Sequence, residues 1–167
     1  MKDATTRFSL SVEATPALCP AGEAYAKRNR EERRIPVLSC EGPCIRGEIA
    51  RLAANDIAKR LPTHARACHA ETFFVPNSAM AQWVRRADEC VVIDGCFLKC
   101  HGRVLEGLVA KERIIHFDAL SIHHKYSDAF LMDDVPEPER EETARRVADR
   151  VVAMLASREQ EERPCQD

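Results

Sequence analysis

Short runs of consecutive apolar residues constrain the fold of this chain most strongly. Cys90-Val-Val-Ile-Asp94 is one such run, and a strand without polar alternation is typical of a parallel sheet that is covered on both faces. Ile35–Ser39 is a second β-prone run, and we predict further strands around residues 65–70 and 113–118. The intervening segments repeat apolar residues every three or four positions, as helices do. This alternation predicts an α/β fold, a Rossmann-like three-layer sandwich around a mainly parallel sheet.

The length of 167 residues favours one domain. We assign the α/β domain to residues 34–158. Residues 1–33 carry little apolar periodicity and end in a charge run, so we expect a loosely attached arm, partly disordered or with a short helix around 21–34. The polar segment 159–167 is expected to be a frayed tail.

Charge and hydropathy exclude several classes of function. Lys and Arg total 25 against 27 Asp and Glu, which does not favour a nucleic-acid binder that depends on a basic surface. No apolar run approaches the roughly 18 residues of a membrane span, so we expect no membrane partner. The N-terminal sequence lacks the apolar stretch of a secretory signal. The sequence therefore predicts a cytoplasmic protein.

Eight cysteines are unusual for such a chain, because the reducing cytoplasm disfavours structural disulfides. Cys40 and Cys44 share a three-residue spacer with Cys96 and Cys100, and each pair is predicted to follow a strand and to open a helix. The carboxyl ends of parallel strands meet at one edge of the sheet, and residues i and i+4 share a helix face. Four thiolates brought together in this way suit tetrahedral zinc.

The other cysteines and the neighbouring polar residues have simpler interpretations. Cys90 is predicted to be a buried apolar residue of its strand, and Cys19 and Cys165 to be exposed thiols in terminal segments. Asp94, at the end of the same strand, is a candidate general base, an acceptor that orients a ligand or a cap of the next helix. Three residues are candidates to replace one of the four cysteines as ligand: Cys68, His69 and His101.

The segment Val91-Val-Ile-Asp-Gly-Cys-Phe-Leu-Lys-Cys100 resembles the central motif of the DGC domain family, and Ser39-Cys-Glu-Gly-Pro-Cys44 is similar to the first cysteine pair of that family. The similarity extends from about Val37 to Phe130. The family is described as zinc-binding and has no established activity. The resemblance implies a metal site at Cys40, Cys44, Cys96 and Cys100, and it implies no reaction.

Other chemistry is compatible with the same residues. Cys40 to Arg46 satisfies the C-x5-R pattern of low-molecular-weight phosphatases and arsenate reductases, in which a thiolate attacks and an arginine holds the oxyanion. An iron–sulfur cluster or a reversible thiol switch on the four cysteines is also open. A small-molecule or anionic ligand is a possible partner beside the metal ion, because α/β proteins bind ligands at this edge. Whether the chain is an enzyme is left open.

Overall fold

The computed structural model describes residues 9–161 of the chain. Its strands are β1 (Ile35–Ser39), β2 (His64–Arg66), β3 (Cys90–Asp94) and β4 (Ile114–Asp118). The α-helices are α1 (Pro20–Glu31), α2 (Ile45–Arg60), α3 (Ala79–Arg86), α4 (Cys100–Glu106), α5 (Ala119–His123) and α6 (Glu137–Glu161). Short 3-10 helices cover Ala70–Phe74, Lys111–Arg113 and Met132–Asp134.

All four strands belong to one parallel sheet, in the order β2-β1-β3-β4. β1 pairs with β3 through Val37 and Val91, and β3 pairs with β4 through Val91 and Ile115. The chain runs from β1 outward to β2 and then returns to the other side of β1 to form β3. The order therefore reverses between β1 and β3, which is where open α/β sheets form a crevice.

Side chains of successive residues in the central strands pack into two separate hydrophobic cores, one on each face of the sheet. Val37, Val91 and Ile93 pack with buried residues of α2 and α6 on one face, whereas Leu38 and Val92 pack with α1, α3 and α4 on the other. Because side chains alternate across a strand, both faces must be apolar, and that accounts for the uninterrupted apolar run in β3. The predicted three-layer α/β fold with a parallel sheet is confirmed.

Capping and helix-stopping residues in the sequence lie at the ends of the helices that cover the sheet. α2 ends at Arg60, with Leu61 as its C-cap, directly before Pro62, which cannot continue a helix. The Ser78 hydroxyl caps α3 by accepting a hydrogen bond from the backbone of Ala81, and Trp83 on that helix is buried. None of the helices within residues 9–161 is both long and apolar enough to cross a membrane.

Three boundaries differ from the sequence predictions. The strand predicted at 65–70 is confined to His64–Arg66, because it lies at the edge of the sheet and pairs only with Ile35–Val37 of β1. The predicted strand at 113–118 begins one residue later, at Ile114. The segment after β4 forms α5 and a 3-10 helix. Residues 159–161 of the predicted tail belong to α6, and residues 162–167 lie outside the described part.

The first helix is held more firmly than the loose arm that we predicted for residues 1–33. The Tyr25 hydroxyl donates to the backbone carbonyl of Arg66 at 2.8 Å, and its ring meets Trp83 edge to face. The Glu23 carboxylate accepts a hydrogen bond from the backbone of Ala79 at 2.7 Å. α1 therefore belongs to the layer that also contains α3. Residues 1–8 lie outside the described part.

Replacing Tyr25 by alanine should destabilise the domain by about 2 kcal/mol, because it removes a partly buried ring and a hydrogen bond to the sheet edge. For a chain of this length, that corresponds to a melting temperature lower by about 4–8 °C. Leu18→Ala is the control, since Leu18 is 48% exposed and should have little effect. Thermal unfolding followed by circular dichroism measures both. Equal melting temperatures would show that the contacts of Tyr25 with Arg66 and Trp83 contribute nothing to stability.

Candidate metal centre

The two cysteine pairs follow the two strands that flank the reversal of strand order. Cys40 comes directly after β1, and its backbone N–H donates to the carbonyl of Ile93 in β3 at 2.9 Å. Cys96 and Cys100 lie in the turn after β3 and at the first residue of α4. The fold thus places both pairs at the carboxyl edge of the sheet, beside the same crevice.

Gly95 allows the turns after β1 and β3 to touch. A Cβ atom at this position would lie 2.7 Å from the backbone carbonyl carbon and oxygen of Arg46 and 2.8 Å from the nitrogen of Gly47. Backbone atoms cannot yield as a flexible side chain can, so any larger residue would push the turns apart. The glycine of the Asp94-Gly95-Cys96 sequence therefore serves the close approach of the turn after β3 to the first turn of α2.

The Cys40 thiol is half-buried and poorly ionised. Burial raises its pKa to about 11, although a hydrogen bond from the Gly95 backbone lowers it in part, and the charges of Asp94, Cys44 and Cys100 raise it further. In the metal-free protein this group is thus a neutral thiol at physiological pH. A metal ion bound here must displace that proton, as zinc does when it binds cysteine.

Cys40 and Cys100 line one cavity of about 290 Å³. His69 and His101 line the same cavity, and their rings are 6.2 Å apart between centroids. Apolar side chains complete the wall: Ala70, Phe74 and Val104. The structure therefore brings two of the four predicted cysteines together with the two histidines that were considered as replacements.

Glu41 is a functional candidate that the sequence analysis missed. Its carboxylate oxygen Oε2 lies 2.8 Å from Nε2 of His69, while Oε1 accepts a hydrogen bond from Arg66 at 2.8 Å and one from the Ser39 hydroxyl at 3.3 Å. A carboxylate that binds one ring nitrogen fixes the orientation of an imidazole, which is the usual support of a metal-ligating histidine. Its place in the Cys40–Cys44 turn was the only signal in the sequence.

Asp94 acts as the cap of α4, the third of its predicted roles. Its carboxylate is buried, with 1% exposure. It accepts backbone hydrogen bonds from His101 at 3.0 Å and Gly102 at 2.9 Å, and Nε2 of His116 lies 2.9 Å from Oδ2. Burial alone would raise the pKa of Asp94, but these hydrogen bonds outweigh it and lower the pKa below its ordinary value. The ionised carboxylate thereby fixes the first turn of α4, which begins with Cys100.

Cys44 and Cys96 are placed differently from the expectation that each pair lies on one helix face. α2 begins after Cys44, which is its N-cap, and the Cys44 sulfur accepts the backbone hydrogen bond of Gly47 at 3.2 Å. α4 begins only at Cys100, so Cys96 lies in the preceding turn. The expectation is wrong because both helices start later than the sequence pattern indicated, and both pairs span a loop and a helix start.

Three of the remaining cysteines do not line this cavity: Cys19, Cys68 and Cys90. Cys90 is buried in β3, where burial raises its pKa to about 12 and its sulfur donates to the carbonyl of Val84. Cys19 is exposed at the N-cap of α1, and Cys68 is exposed in the loop after β2. Cys165 lies outside the described residues.

The donor types around the cavity fit zinc, which takes thiolate and imidazole ligands. Within residues 9–161, however, no three His, Cys, Asp or Glu side chains are already arranged to hold a metal ion. Metal binding here would require the donors to close in around an ion. The four-cysteine ligand set accordingly stays a prediction.

The loop from Cys40 to Arg46 has two features that disfavour a phosphate cradle. A nucleophilic thiolate needs a lowered pKa, whereas burial raises the pKa of Cys40 to about 11. Pro43 has no N–H, and the N–H groups of Cys40 and Ile45 already bind the carbonyls of Ile93 and Phe130. The raised pKa and the loss of these donors disfavour the C-x5-R interpretation.

Fold and site define an α/β protein with a thiol- and imidazole-lined cavity at the reversal of strand order. A family model for the DGC domain matches residues 36–151, more than half of the chain. The chain belongs to the DGC domain family, as its motifs suggested. No curated protein and no solved structure matches it.

Replacing Gly95 by alanine should destabilise the domain by about 1–3 kcal/mol or more, because the new methyl group meets the backbone of Arg46. Gly22→Ala is the matched control, since its Cβ would make ordinary contacts of 3.5 Å with Cys19 and alanine favours the helix. Chemical denaturation of both variants measures the difference. A Gly95→Ala protein as stable as the control would show that the turns do not depend on this contact.

Proposed function

We propose that this protein binds zinc at the carboxyl edge of its sheet, with thiolate donors drawn from Cys40, Cys44, Cys96 and Cys100. The observation that carries the proposal is the shared cavity of Cys40 and Cys100, which come from turns after two adjacent strands. Membership of the DGC domain family supports it.

Two imidazole groups can take the place of predicted thiolate ligands that do not reach the cavity. Cys44 and Cys96 do not line the cavity, whereas His69 and His101 do. His69 is already oriented by Glu41, and Glu41 is held by Arg66. A mixed set of thiolates and imidazoles is as suitable for tetrahedral zinc as four thiolates. Cys40 and Cys100 are therefore the donors on which binding should depend most.

A zinc ion at this position would connect segments that are far apart in the sequence. It would link the turn after β1 to the start of α4 and so restrict the unfolded chain. A closed set of four protein ligands would make the ion structural, and three ligands would leave a position for water or a small molecule. Thiolate ligands must stay reduced to hold zinc, so we propose a cytoplasmic location, where thiols persist.

Cys40→Ser and Cys100→Ser should each lose most of the bound zinc, because each removes a charged donor from the cavity. Cys44→Ser and Cys96→Ser test whether the two predicted cysteines that do not line the cavity contribute. Cys19→Ser is the control, since that thiol is exposed and lies at α1. Elemental analysis of anaerobically purified protein gives the metal content. Equal metal in Cys40→Ser, Cys100→Ser and the control would contradict the assigned site. An absorption spectrum separates colourless zinc from an iron–sulfur cluster.

Removing the metal with a strong chelator should lower the melting temperature by several degrees or more, corresponding to a loss of ~2–4 kcal/mol. The two apolar cores are large enough to keep the chain folded without it. Far-UV circular dichroism at room temperature should therefore still show an α/β protein. If the metal is removed and the melting temperature does not change, then no ion joins the two turns.

A further inference from the structure

A second cavity lies between the end of α5 and the middle of α6 and has a different chemical character. Its volume is about 540 Å³. Lys125, Arg146 and Arg150 line it, together with His123 and His124, and no carboxylate does. Three cationic side chains thus face one cavity in a chain whose formal net charge is -2. Such a local excess attracts anions.

The existing partners of these cations are exposed and weak. Arg146 pairs with Glu142 along α6, and the Lys125 ammonium lies 3.7 Å from the carboxylate of Glu139. Exposed ion pairs of this kind contribute about 0–1 kcal/mol to stability. A bound anion can therefore take the place of the carboxylates of Glu139 and Glu142. Arg150 forms no ion pair with any residue in the described part of the chain.

The loop that carries His124 and Lys125 has an unusual backbone. His124 has φ 54° and Tyr126 has φ 60°, in the left-handed region that favours glycine. Each non-glycine residue there costs about 1 kcal/mol or more. At position 124, the C-cap of α5, glycine would be the usual choice, and the chain instead presents an imidazole to the cavity.

The wall of the cavity also contains a half-buried histidine, His123, whose ring is neutral. The Nδ1 atom of His123 accepts the backbone hydrogen bond of Lys125 at 2.9 Å, so the proton of the neutral ring lies on Nε2. Burial lowers the pKa of His123 to about 4, which keeps the ring neutral at physiological pH. Nε2 is buried and has no partner among residues 9–161. His123 is therefore a neutral part of the wall, and the cationic side chains supply the attraction for an anion.

We propose that this cleft binds a small phosphate monoester, with the phosphate between Lys125, Arg146 and Arg150 and its organic part against Ile122 and Met154. A phosphate monoester carries nearly two negative charges and three acceptor oxygens, which matches three cations better than a single carboxylate does. Arg146 and Arg150 stand one helical turn apart on α6, and guanidinium groups bind phosphate oxygens in pairs. The exposed position of Met154, 41%, places an apolar surface beside the charged one.

The proposal does not depend on the zinc site and is tested on the full chain with phenylphosphonate, a stable phosphate-ester mimic. Isothermal titration calorimetry should show saturable binding that Arg150→Gln weakens about tenfold, as expected for one lost charge-assisted contact. Arg145→Gln is the matched control, because Arg145 is exposed on the same helix but does not line the cavity. Methylphosphonate should bind more weakly than phenylphosphonate, and Met154→Ser should remove that difference.

His124→Gly separates binding from stability. It removes an imidazole from the cavity and also relieves the left-handed backbone, so binding should weaken while the melting temperature stays equal or rises. No saturable binding of phenylphosphonate at millimolar concentration would overturn the proposal. Equal weakening in Arg145→Gln and Arg150→Gln would overturn it as well, because it would show a general effect of surface charge.

Discussion

The backbone of Gly95 lies against the backbone of Arg46, and this contact joins the turn after β3 to the start of α2. Both turns leave the sheet where the strand order reverses, so their separation sets the width of the crevice at its carboxyl edge. A larger residue in place of Gly95 would have to displace one of these turns, because its Cβ atom would meet backbone atoms. The Asp-Gly-Cys sequence thus combines a capping carboxylate, a close backbone approach and a thiol within three residues.

The carboxylate of Asp94 holds the other side of the crevice in place. It is buried, yet it stays ionised because two backbone N–H groups of α4 and the ring of His116 bind it. A Cβ atom at Gly102 would lie 2.7 Å from the Asp94 oxygen, so glycine at that position is also part of the cap. The hydrogen bonds that let Asp94 cap α4 also stabilise its ionised form. A carboxylate stabilised in this way accepts a proton less readily, which disfavours a role as a general base.

The electrostatic environment of Cys40 favours binding of a metal cation over nucleophilic attack on a substrate. Partial burial beside an ionised carboxylate disfavours a free thiolate, which is the opposite of what a nucleophilic cysteine requires. A divalent cation reverses this balance, because it stabilises the thiolates and compensates the nearby negative charge. Glu41 adds a further negative charge beside the cavity, where it pairs with both Arg66 and His69.

The sequence by itself determined the layered α/β fold, the positions of β1, β3 and β4 to within a residue, and the edge of the sheet at which Cys40 and Cys100 meet. These features follow from local apolar patterning and from the shared direction of parallel strands. Only the tertiary structure decided that α1 is part of the folded domain, that α2 and α4 start too late to present each cysteine pair on one face, and that Glu41 supports His69. The reason is physical: helix starts and loop paths depend on contacts between residues distant in sequence, and local periodicity does not record those contacts.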